Sequence, residues 1–412
     1  MHQMVFYLII GILVFDYLFE QFLGYLNSTR RNNKLPEILQ GIYPEEKYQK
    51  SQLYEKTNYR FLVINSSFDL LIILLFLYFS GFALVDQIAQ SYSSNQIMIS
   101  LIFFGIILFA SDILHIPFSI YNTFIIEERF GFNKTSAKIF ILDKIKGWFL
   151  MILIGGGLLS LFAWFYYWFG DYFWIYTWIT VSVFMVFMTM FYTSIILPLF
   201  NKLKPLEDGE LKTSITTFCQ KVGFKLNNVY VIDGSKRSTK ANAFFSGIGR
   251  KKKIVLYDTL IENLTIEELL AVLAHEIGHY KKKHIYISMV SSIIKTGLTL
   301  YILSLFIGNP ILSRALGVEK AGFHIGLIAF GILYSPISNI IDVFMNIISR
   351  KNEYAADKYA HIHSNGEWLK QALIKLSINN LSNLTPHPLY VFFNFSHPTL
   401  LERIKRLDQY KI

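Results

Sequence analysis

Residues 275–279 read His-Glu-Ile-Gly-His and lie within a run that predicts a helix. Two histidines four residues apart share one helical face, where both imidazoles can bind one zinc ion. Glu276, between them, lies beside such an ion and can accept a proton from an attacking water molecule. The alternative is a helix whose histidines face solvent or cap its C-terminal end. The rest of the chain has to distinguish these interpretations.

Composition predicts a membrane protein. Of the 412 residues, 53% are hydrophobic and 17% are charged, whereas soluble domains carry about 25% charged residues. The net charge of +10 does not indicate a nucleic-acid partner, because the basic residues lie between long apolar segments, where a membrane surface explains them better. The single Cys219 excludes an intramolecular disulfide framework and a cysteine-based zinc site.

Several stretches are long and apolar enough to cross a bilayer core, which takes roughly 20 residues per helix. There are seven, at 4–26, 61–85, 97–118, 147–169, 173–197, 285–308 and 322–348. Of the 39 Lys and Arg residues, 36 fall in four segments on one side and two on the other. The positive-inside rule therefore predicts seven spans, with the N-terminus outside and the C-terminus in the cytosol.

The soluble parts share the cytosolic side, so we expect them to form one small α+β domain that two spans interrupt. The predicted parts are 1–197 (five spans and their loops), 198–284 (the cytosolic loop), 285–348 (two spans) and 349–412 (the tail). Local patterns predict a helix over 207–222 and strands over 229–232, 243–245 and 254–257, the last two joined by a turn at 246–249.

A capping-box pattern opens the helix that carries the two histidines. Thr265 is followed three residues later by Glu268, the spacing at which side chain and backbone satisfy each other reciprocally. The same helix is then expected to run through 281–284 (Lys-Lys-Lys-His) directly into the sixth span. This places the motif at the membrane interface.

A catalytic zinc site usually has three protein ligands, so a third is needed on the same side of the membrane. Glu353 and Asp357 follow the seventh span and are four residues apart, so both project from one helical face. We expect Glu353 to bind zinc and Asp357 to accept a hydrogen bond from His275. The alternative for this pair is an ordinary solvated charged face.

Further short motifs occur in the other soluble segments. They are 117–119 (Pro-Phe-Ser), 121–124 (Tyr-Asn-Thr-Phe), 126–134 (Ile-Glu-Glu-Arg-Phe-Gly-Phe-Asn-Lys), 198–202 (Pro-Leu-Phe-Asn-Lys), 235–238 (Ser-Lys-Arg-Ser), 242–245 (Asn-Ala-Phe-Phe) and 396–398 (Ser-His-Pro). With the zinc residues they resemble the type I CAAX prenyl proteases, a family of seven-span gluzincin metalloproteases. The family often has an acidic residue where this chain has Ala355, and no effect on zinc binding is expected.

The resemblance implies a mainly α polytopic membrane protein with a small α+β gluzincin-like domain and one catalytic Zn²⁺. It implies that His397 hydrogen-bonds the oxyanion and that Arg403 orients Glu353 or His397. It also implies that Asn242, Ala243 and Phe244 form an edge strand that pairs with the substrate backbone. The alternatives are a simple turn at His397 and core packing for Phe244.

Ionisable residues also lie within or beside the predicted spans. They are Asp16, Glu20, Asp69, Asp112, His115, Lys295, His324 and Asp342. Such groups avoid lipid, so they face either a bundle interior or water. Pairwise neutralisation, for example Lys295 with Asp342, is one interpretation. The resemblance implies the other, in which they line a water-filled intramembrane chamber.

The expected function is that of a monomeric membrane zinc endopeptidase acting on peptides or prenylated protein C-termini, with Glu276 as the base. Alternatives are a quality-control protease without prenylated substrates, a site-2-type intramembrane protease, a zinc transporter and a non-catalytic scaffold. The lysines after His279 argue against a motif within a span. The short loop 309–321 and the modest chain length favour a bacterial inner membrane over the endoplasmic reticulum.

Overall fold

The computed structural model describes residues 1–31, 34–225, 228–247 and 253–410. Its first half is almost entirely helical. The helices are α1 (His2–Thr29), α2 (Glu45–Tyr78), α3 (Gly81–Tyr92), α4 (Gln96–Tyr121), α5 (Ala137–Leu150), α6 (Gly157–Phe169), α7 (Phe173–Ile195) and α8 (Leu197–Phe200). A π-helical turn extends α4 over Asn122–Glu127, and another joins α5 to α6 over Met151–Gly156.

Six helical segments of the described residues are long and apolar enough to cross a membrane: His2–Thr29, Glu45–Tyr78, Gln96–Glu127, Ala137–Phe200, His284–Phe306 and Phe323–His363. The fourth has 64 residues, far more than the roughly 20 of one crossing. It reverses at Gly170, whose φ of +53° suits a residue without a Cβ. Across this turn, the rings of Phe169 and Tyr176 stack with their centroids 4.0 Å apart. Counted as two crossings, the hairpin gives seven spans.

The predicted second span, 61–85, is wrong at its C-terminal end. Helix α2 ends at Tyr78, Ser80 adopts a left-handed φ of +53°, and α3 begins at Gly81. A Cβ on Gly81 would lie 2.5 Å from the ring of Phe76, so only glycine allows this close turn. The apolar composition continues across the break, and hydrophobicity therefore does not reveal it.

The part of the chain between the fifth and sixth predicted spans contains one four-stranded sheet, formed by β1 (Leu203–Pro205), β2 (Val229–Ile232), β3 (Ala243–Ser246) and β4 (Lys253–Tyr257). Its order is β1-β2-β4-β3; β2 and β4 are parallel, and the other pairs are antiparallel. The three predicted strands are confirmed, and β1 was not predicted. Residues 248 and 249 of the predicted turn lie outside the described residues. Strand β3 is an edge strand of this sheet.

The remaining helices surround the sheet and complete the membrane region. They are α9 (Glu210–Lys221), α10 (Asp258–Asn263), α11 (Ile266–Lys281), α12 (His284–Phe306), α13 (Pro310–Ala315), α14 (Phe323–His363), α15 (Gly366–Asn379), α16 (Pro388–Asn394) and α17 (Leu400–Gln409). Helix α9 falls within the predicted 207–222. The predicted capping box is present at the start of α11, where Thr265 and Glu268 hydrogen-bond each other's backbone.

Helix α11 lies at the centre of the hydrophobic core outside the membrane helices. Ala271, Ala274 and Ile277 are fully buried in one cluster with Ile215 of α9 and Leu369 of α15. The two alanines let neighbouring helices approach closely, and burying a side chain such as Ile277 contributes roughly 1.5–3 kcal/mol. The helix with the histidine motif is therefore held on several sides before any ligand binds.

Two features of the last helices position the site. Helix α11 does not continue into the sixth span as expected, because Lys283 adopts a left-handed φ of +61° and α12 begins at His284. By contrast, α14 continues without a break for 41 residues, about 60 Å at 1.5 Å per residue. That is about twice the 30 Å of a bilayer core, so one helix carries both the seventh span and Glu353.

Candidate metal centre

The two motif histidines present the same ring nitrogen to one point. The Nε2 atoms of His275 and His279 are 3.1 Å apart, one helical turn from each other on α11. Glu353 of α14 faces them, with Oε2 3.5 Å from Nε2 of His275 and Oε1 3.2 Å from Nε2 of His279. A motif and a tail residue separated by two membrane helices thus meet at one place.

These three residues fit a zinc ion. Their ligand atoms all lie within 4.8 Å of one another. A tetrahedral zinc ion with bonds of 2.0–2.1 Å requires ligand atoms about 3.3 Å apart. The two Nε2 atoms are 3.1 Å apart, and each has a different oxygen of the Glu353 carboxylate within 3.5 Å. Two neutral imidazoles and one carboxylate are also the donor set of known catalytic zinc sites.

The close approach of α11 and α14 depends on Gly278 of the motif. A Cβ at this position would lie 3.0 Å from Cβ of Tyr359, 3.1 Å from Cα of Ala356 and 3.2 Å from the Ala356 carbonyl oxygen. The glycine and the fully buried Ala356 therefore let the two backbones pack directly. Sequence reasoning treated Gly278 only as a variable position of the motif.

His275 is oriented by a buried carboxylate. Its Nδ1 lies 2.9 Å from Oδ1 of Asp357, which is completely buried. Arg403 holds the same carboxylate with two hydrogen bonds, from Nε at 2.9 Å and from Nη2 at 2.5 Å. Its Nη1 lies 3.9 Å from Glu353, so the principal partner of Arg403 is Asp357, rather than the expected Glu353 or His397.

The electrostatics of the metal-free site favour a proton where a cation would bind. Burial alone lowers the pKa of His275, but hydrogen bonds to Asp357 and Glu353 outweigh it and raise the pKa to about 9. The two carboxylates thus favour positive charge at this ring. This is the behaviour of a cation site with its carboxylates in place.

The side chain of Glu276 faces a cavity beside the three ligand residues. This cavity of about 380 Å³ is also lined by His397, Asn242 and Ala243. Burial raises the pKa of the Glu276 carboxyl, which moves it towards the range in which a carboxylate works as a general base. Within the described residues, no side chain hydrogen-bonds the Glu276 carboxylate, so it is free to bind water.

His397 reaches the site from the loop before α17. Its Nε2 lies 3.4 Å from Oε1 of Glu353, and its Nδ1 lies 2.9 Å from the hydroxyl of Ser396. The side chain is 64% exposed, so it borders the open side of the cavity. This placement allows a hydrogen bond to an oxygen that develops charge above the ligand residues.

The predicted substrate strand is only partly directed at the cavity. Asn242 and Ala243 line it. The side chain of Phe244 instead packs on the opposite face of the sheet with Ile232 and Val255, which is the core-packing alternative. Alternation along a strand explains this difference, because successive side chains point to opposite faces.

One residue close to the ligands was not singled out from the sequence. His284, the first residue of α12, is buried, and its Nδ1 lies 3.0 Å from Nδ1 of His279. The available signal was a third histidine five residues after the motif. The predicted continuous helix through 281–284 gave no reason for this residue to turn back towards His279.

Charged residues within the membrane helices are paired or face an internal cavity. Lys295 contacts Asp342 at 2.5 Å, as the neutralisation interpretation expects, and Lys144 contacts Asp112 at 2.7 Å. Between α1 and α14, a cavity of about 730 Å³ is lined by Asp16, Glu20 and Asp342 together with polar and apolar neighbours. Pairing and cavity lining therefore occur together in this region.

These features define a class: a multi-pass membrane protein with a candidate metal centre, whose two motif histidines lie on α11, outside its apolar helices, and whose Glu353 lies on the extension of the last one. Helix α11 is not one of the six apolar segments, which argues against a site-2-type arrangement and a mid-membrane transport site. Two family models match the chain: "CAAX prenyl protease N-terminal, five membrane helices" over 25–202, and "Peptidase family M48" over 205–411.

Similar proteins cover almost the whole chain. CAAX prenyl protease 1 of Saccharomyces cerevisiae is 34% identical, covering 97% of this chain and 94% of that protein. The CAAX prenyl protease 1 homolog of Homo sapiens is 30% identical, covering 96% and 93%. The crystal structure of S. mikatae Ste24p superposes with a TM-score of 0.93 at 35% identity, covering 98% and 99%.

The chain belongs to peptidase family M48 and is an integral-membrane metalloendopeptidase. The resemblance noted from its motifs is thereby confirmed. The relatives named above come from two yeasts and an animal. These relatives contradict the preference for a bacterial inner membrane. The prediction was wrong because neither loop length nor chain length identifies the organism.

Proposed function

We propose that this protein is a zinc endopeptidase of the endoplasmic reticulum membrane that removes the last three residues of prenylated C-a-a-X proteins. The observation that carries the proposal is the ligand triangle of His275, His279 and Glu353 on the wall of a cleft that also contains Glu276. The names of its relatives supply the substrate class.

His275, His279 and Glu353 would hold the ion. When bound there, zinc supplies a Lewis acid that polarises a carbonyl and lowers the pKa of water towards neutrality. Asp357 fixes the ring of His275 by accepting a hydrogen bond from its Nδ1–H group. Arg403 holds the Asp357 carboxylate in turn. This arrangement leaves the cleft side of the triangle open to substrate.

Glu276 acts as the general base and then as the general acid. Its carboxylate takes a proton from the attacking water and later delivers it to the leaving amine. The cleft wall places it between the ligand residues and the substrate strand. His397, on the open side, donates a hydrogen bond to the oxygen of the tetrahedral intermediate.

The substrate binds as an added strand along the edge of β3. The amide of Tyr257 donates to the Asn242 carbonyl, so the Asn242 carbonyl faces β4 and the backbone groups of Ala243 face outward. In this structure the Asn242 side chain accepts from the Ala243 amide at 2.8 Å, and an incoming peptide carbonyl replaces it. This pairing does not depend on the side chains of the substrate.

The other wall of the cleft favours aliphatic side chains. Leu260, Val272, Leu369, Leu373 and Leu376 line the same cavity. The transfer of branched and straight aliphatic groups from water to such a surface is favourable. The two middle positions of a C-a-a-X sequence are of this type, which supports C-terminal processing over hydrolysis of polar peptides.

The cleft lies at the cytosolic membrane surface in the proposed topology. The excess of Lys and Arg in the segments that include 198–284 and 349–412 supports a cytosolic C-terminus and a lumenal N-terminus. A prenylated C-terminus anchored in the cytosolic leaflet thereby reaches the cleft without leaving the membrane. We propose that the protein acts as a monomer.

A farnesylated C-a-a-X peptide and its unmodified twin test this function with the purified protein in lipid nanodiscs. We expect release of the tripeptide from the farnesylated peptide, loss of activity with chelator and recovery with zinc. Glu276→Gln should bind zinc normally and lose activity by at least a thousandfold. Equal cleavage of both peptides would favour a quality-control protease, and cleavage by Glu276→Gln would refute the assigned base.

A further inference from the structure

The second ring nitrogen of His279 has a partner of its own. Because Nε2 of His279 points to His275 and Glu353, Nδ1 is the atom left for a supporting hydrogen bond. That atom lies 3.0 Å from Nδ1 of His284, and the two ring planes are inclined at 75° with centroids 5.1 Å apart. The distance is that of a hydrogen bond between ring nitrogens.

The chemistry of a metal ligand fixes the direction of this bond. An imidazole that binds a metal through Nε2 carries its proton on Nδ1 and donates it to an acceptor. The Nδ1 of His284 can accept only if it is unprotonated, so His284 is neutral with its proton on Nε2. We propose that His284 is the positioning residue of His279, fixing its tautomer and ring orientation; this inference rests on the zinc site proposed above.

The backbone conformation before His284 brings this residue next to His279. In a continuous helix, five residues correspond to about 500°, so residue 284 would lie about 140° around the axis from residue 279. The left-handed Lys283 interrupts the helix between them and directs the new helix so that His284 returns to His279. A non-glycine residue at positive φ is uncommon, and such positions cluster at functional sites.

The two zinc-binding histidines are therefore supported differently. His275 donates to the Asp357 carboxylate, which Arg403 neutralises. His279 donates to a neutral ring in a buried position. A second carboxylate at this point would add uncompensated negative charge beside Glu353 and Glu276, and an imidazole supplies an acceptor without that charge.

Three substitutions test the proposal through zinc binding rather than turnover. His284→Leu removes the acceptor, and His284→Asn restores one, because Oδ1 of Asn occupies nearly the same place as Nδ1 of His. We expect His284→Leu to lower zinc affinity about 10- to 100-fold in chelator competition, and His284→Asn to stay within about threefold of the wild type. His361→Leu is the control, since neither ring nitrogen of His361 has a hydrogen-bond partner among the described residues.

The absorption spectrum of the cobalt-loaded protein provides a readout that a purely structural role would not change. We expect the d–d bands to shift in His284→Leu and to return to the wild-type position in His284→Asn. If His284→Leu does not fold, His284→Gln takes its place, because Gln carries its oxygen one bond farther from the backbone.

Wild-type affinity within error for His284→Leu, or equal losses for the Leu and Asn variants, would overturn the proposal. Failure of the wild-type protein to bind zinc would instead refute the proposed function, so the two failures are distinguishable.

Discussion

The metal side of the cleft is buried and fully paired, whereas the substrate side is open. Glu353, His275 and Asp357 are only 5%, 7% and 0% exposed, and each has at least two partners. Across the cavity, Asn242 is exposed directly before the edge strand β3. The contrast teaches that the folded protein itself positions the proposed metal ligands, whereas the proposed substrate strand still has an unpaired edge. Substitutions on the two sides should therefore change different measurements.

The largest expected effect follows from separating α11 and α14. In Gly278→Val, the branched side chain meets Ala356 and Tyr359 at the 3.0–3.2 Å contacts of a Cβ, and the helices must move apart. We expect zinc affinity to fall by more than a hundredfold and the melting temperature to drop by several degrees. Zinc content and thermal unfolding measure both. Gly331→Val is the matched control, because a Cβ at Gly331 of α14 meets nothing within 4 Å; equal zinc content in both variants would contradict the explanation.

A smaller effect on the same side concerns Asp357. In Asp357→Asn the hydrogen-bonding shape is kept, but His275 loses a charged acceptor and Arg403 loses its counter-ion. We expect a 10- to 100-fold loss of zinc affinity, measured by chelator competition. Asp408→Asn removes a surface ion pair with Lys370 in the same domain and should leave zinc affinity unchanged. The paired character of this side would be refuted if the two variants behaved alike.

The pH dependence of zinc binding reports on His275, which lies on the metal side of the cleft. In the metal-free protein the pKa of His275 is raised to about 9, from an ordinary value of about 6.5. The proton therefore competes with zinc below pH 9, and zinc affinity should rise up to about tenfold per pH unit from pH 7 to 9, then level off.

The same raised pKa predicts how the stability of the metal-free protein depends on pH. The proton on His275 stabilises the fold fully below about pH 6.5, and this contribution is lost as the pH rises through 9. Melting of chelator-treated protein between pH 6 and 10 tests the sign. A melting temperature that increases through pH 9 would contradict the assignment.

The smallest effect is expected on the substrate side. Ala243→Pro removes an outward-facing amide from β3 without touching the metal ligands. Losing one hydrogen bond of about 0.5–1.5 kcal/mol raises KM about two- to thirteenfold, while kcat and zinc affinity stay unchanged. Ala243→Ser keeps the amide and serves as the control. A fall in zinc content in the proline variant would mean that the two sides are coupled.

The parts of this molecule that local patterns determine could be predicted from the sequence. The His-Glu-x-x-His helix, its Thr265–Glu268 cap and the strands at 229–232 and 254–257 each depend on residues within a few positions of one another. Glu353 could be found as a third ligand candidate because it follows a span on the same side of the membrane. Short-range periodicity was sufficient in these cases.

The remaining features depend on contacts between distant segments or on single backbone angles. The break at Ser80 lies in a stretch that is apolar apart from Ser80 and Gly81, and the break at Lys283 lies in a run of lysines that is compatible with a helix. The contact of His284 with His279 depends on the break at Lys283. The contact of Arg403 with Asp357 depends on the packing of α17. No pattern within the chain shows whether the Phe244 side chain points towards the cleft or packs on the opposite face of the sheet.

The unbroken course of α14 has a consequence for how the enzyme matures. Glu353 belongs to the same 41-residue helix as the last span, and two membrane crossings separate it from His275 and His279. The ligand set is thus complete only after both crossings have been inserted during biosynthesis. With the proposed ligands, a nascent chain still leaving the ribosome would carry only part of the metal site, and we expect no proteolysis before its final helix is inserted.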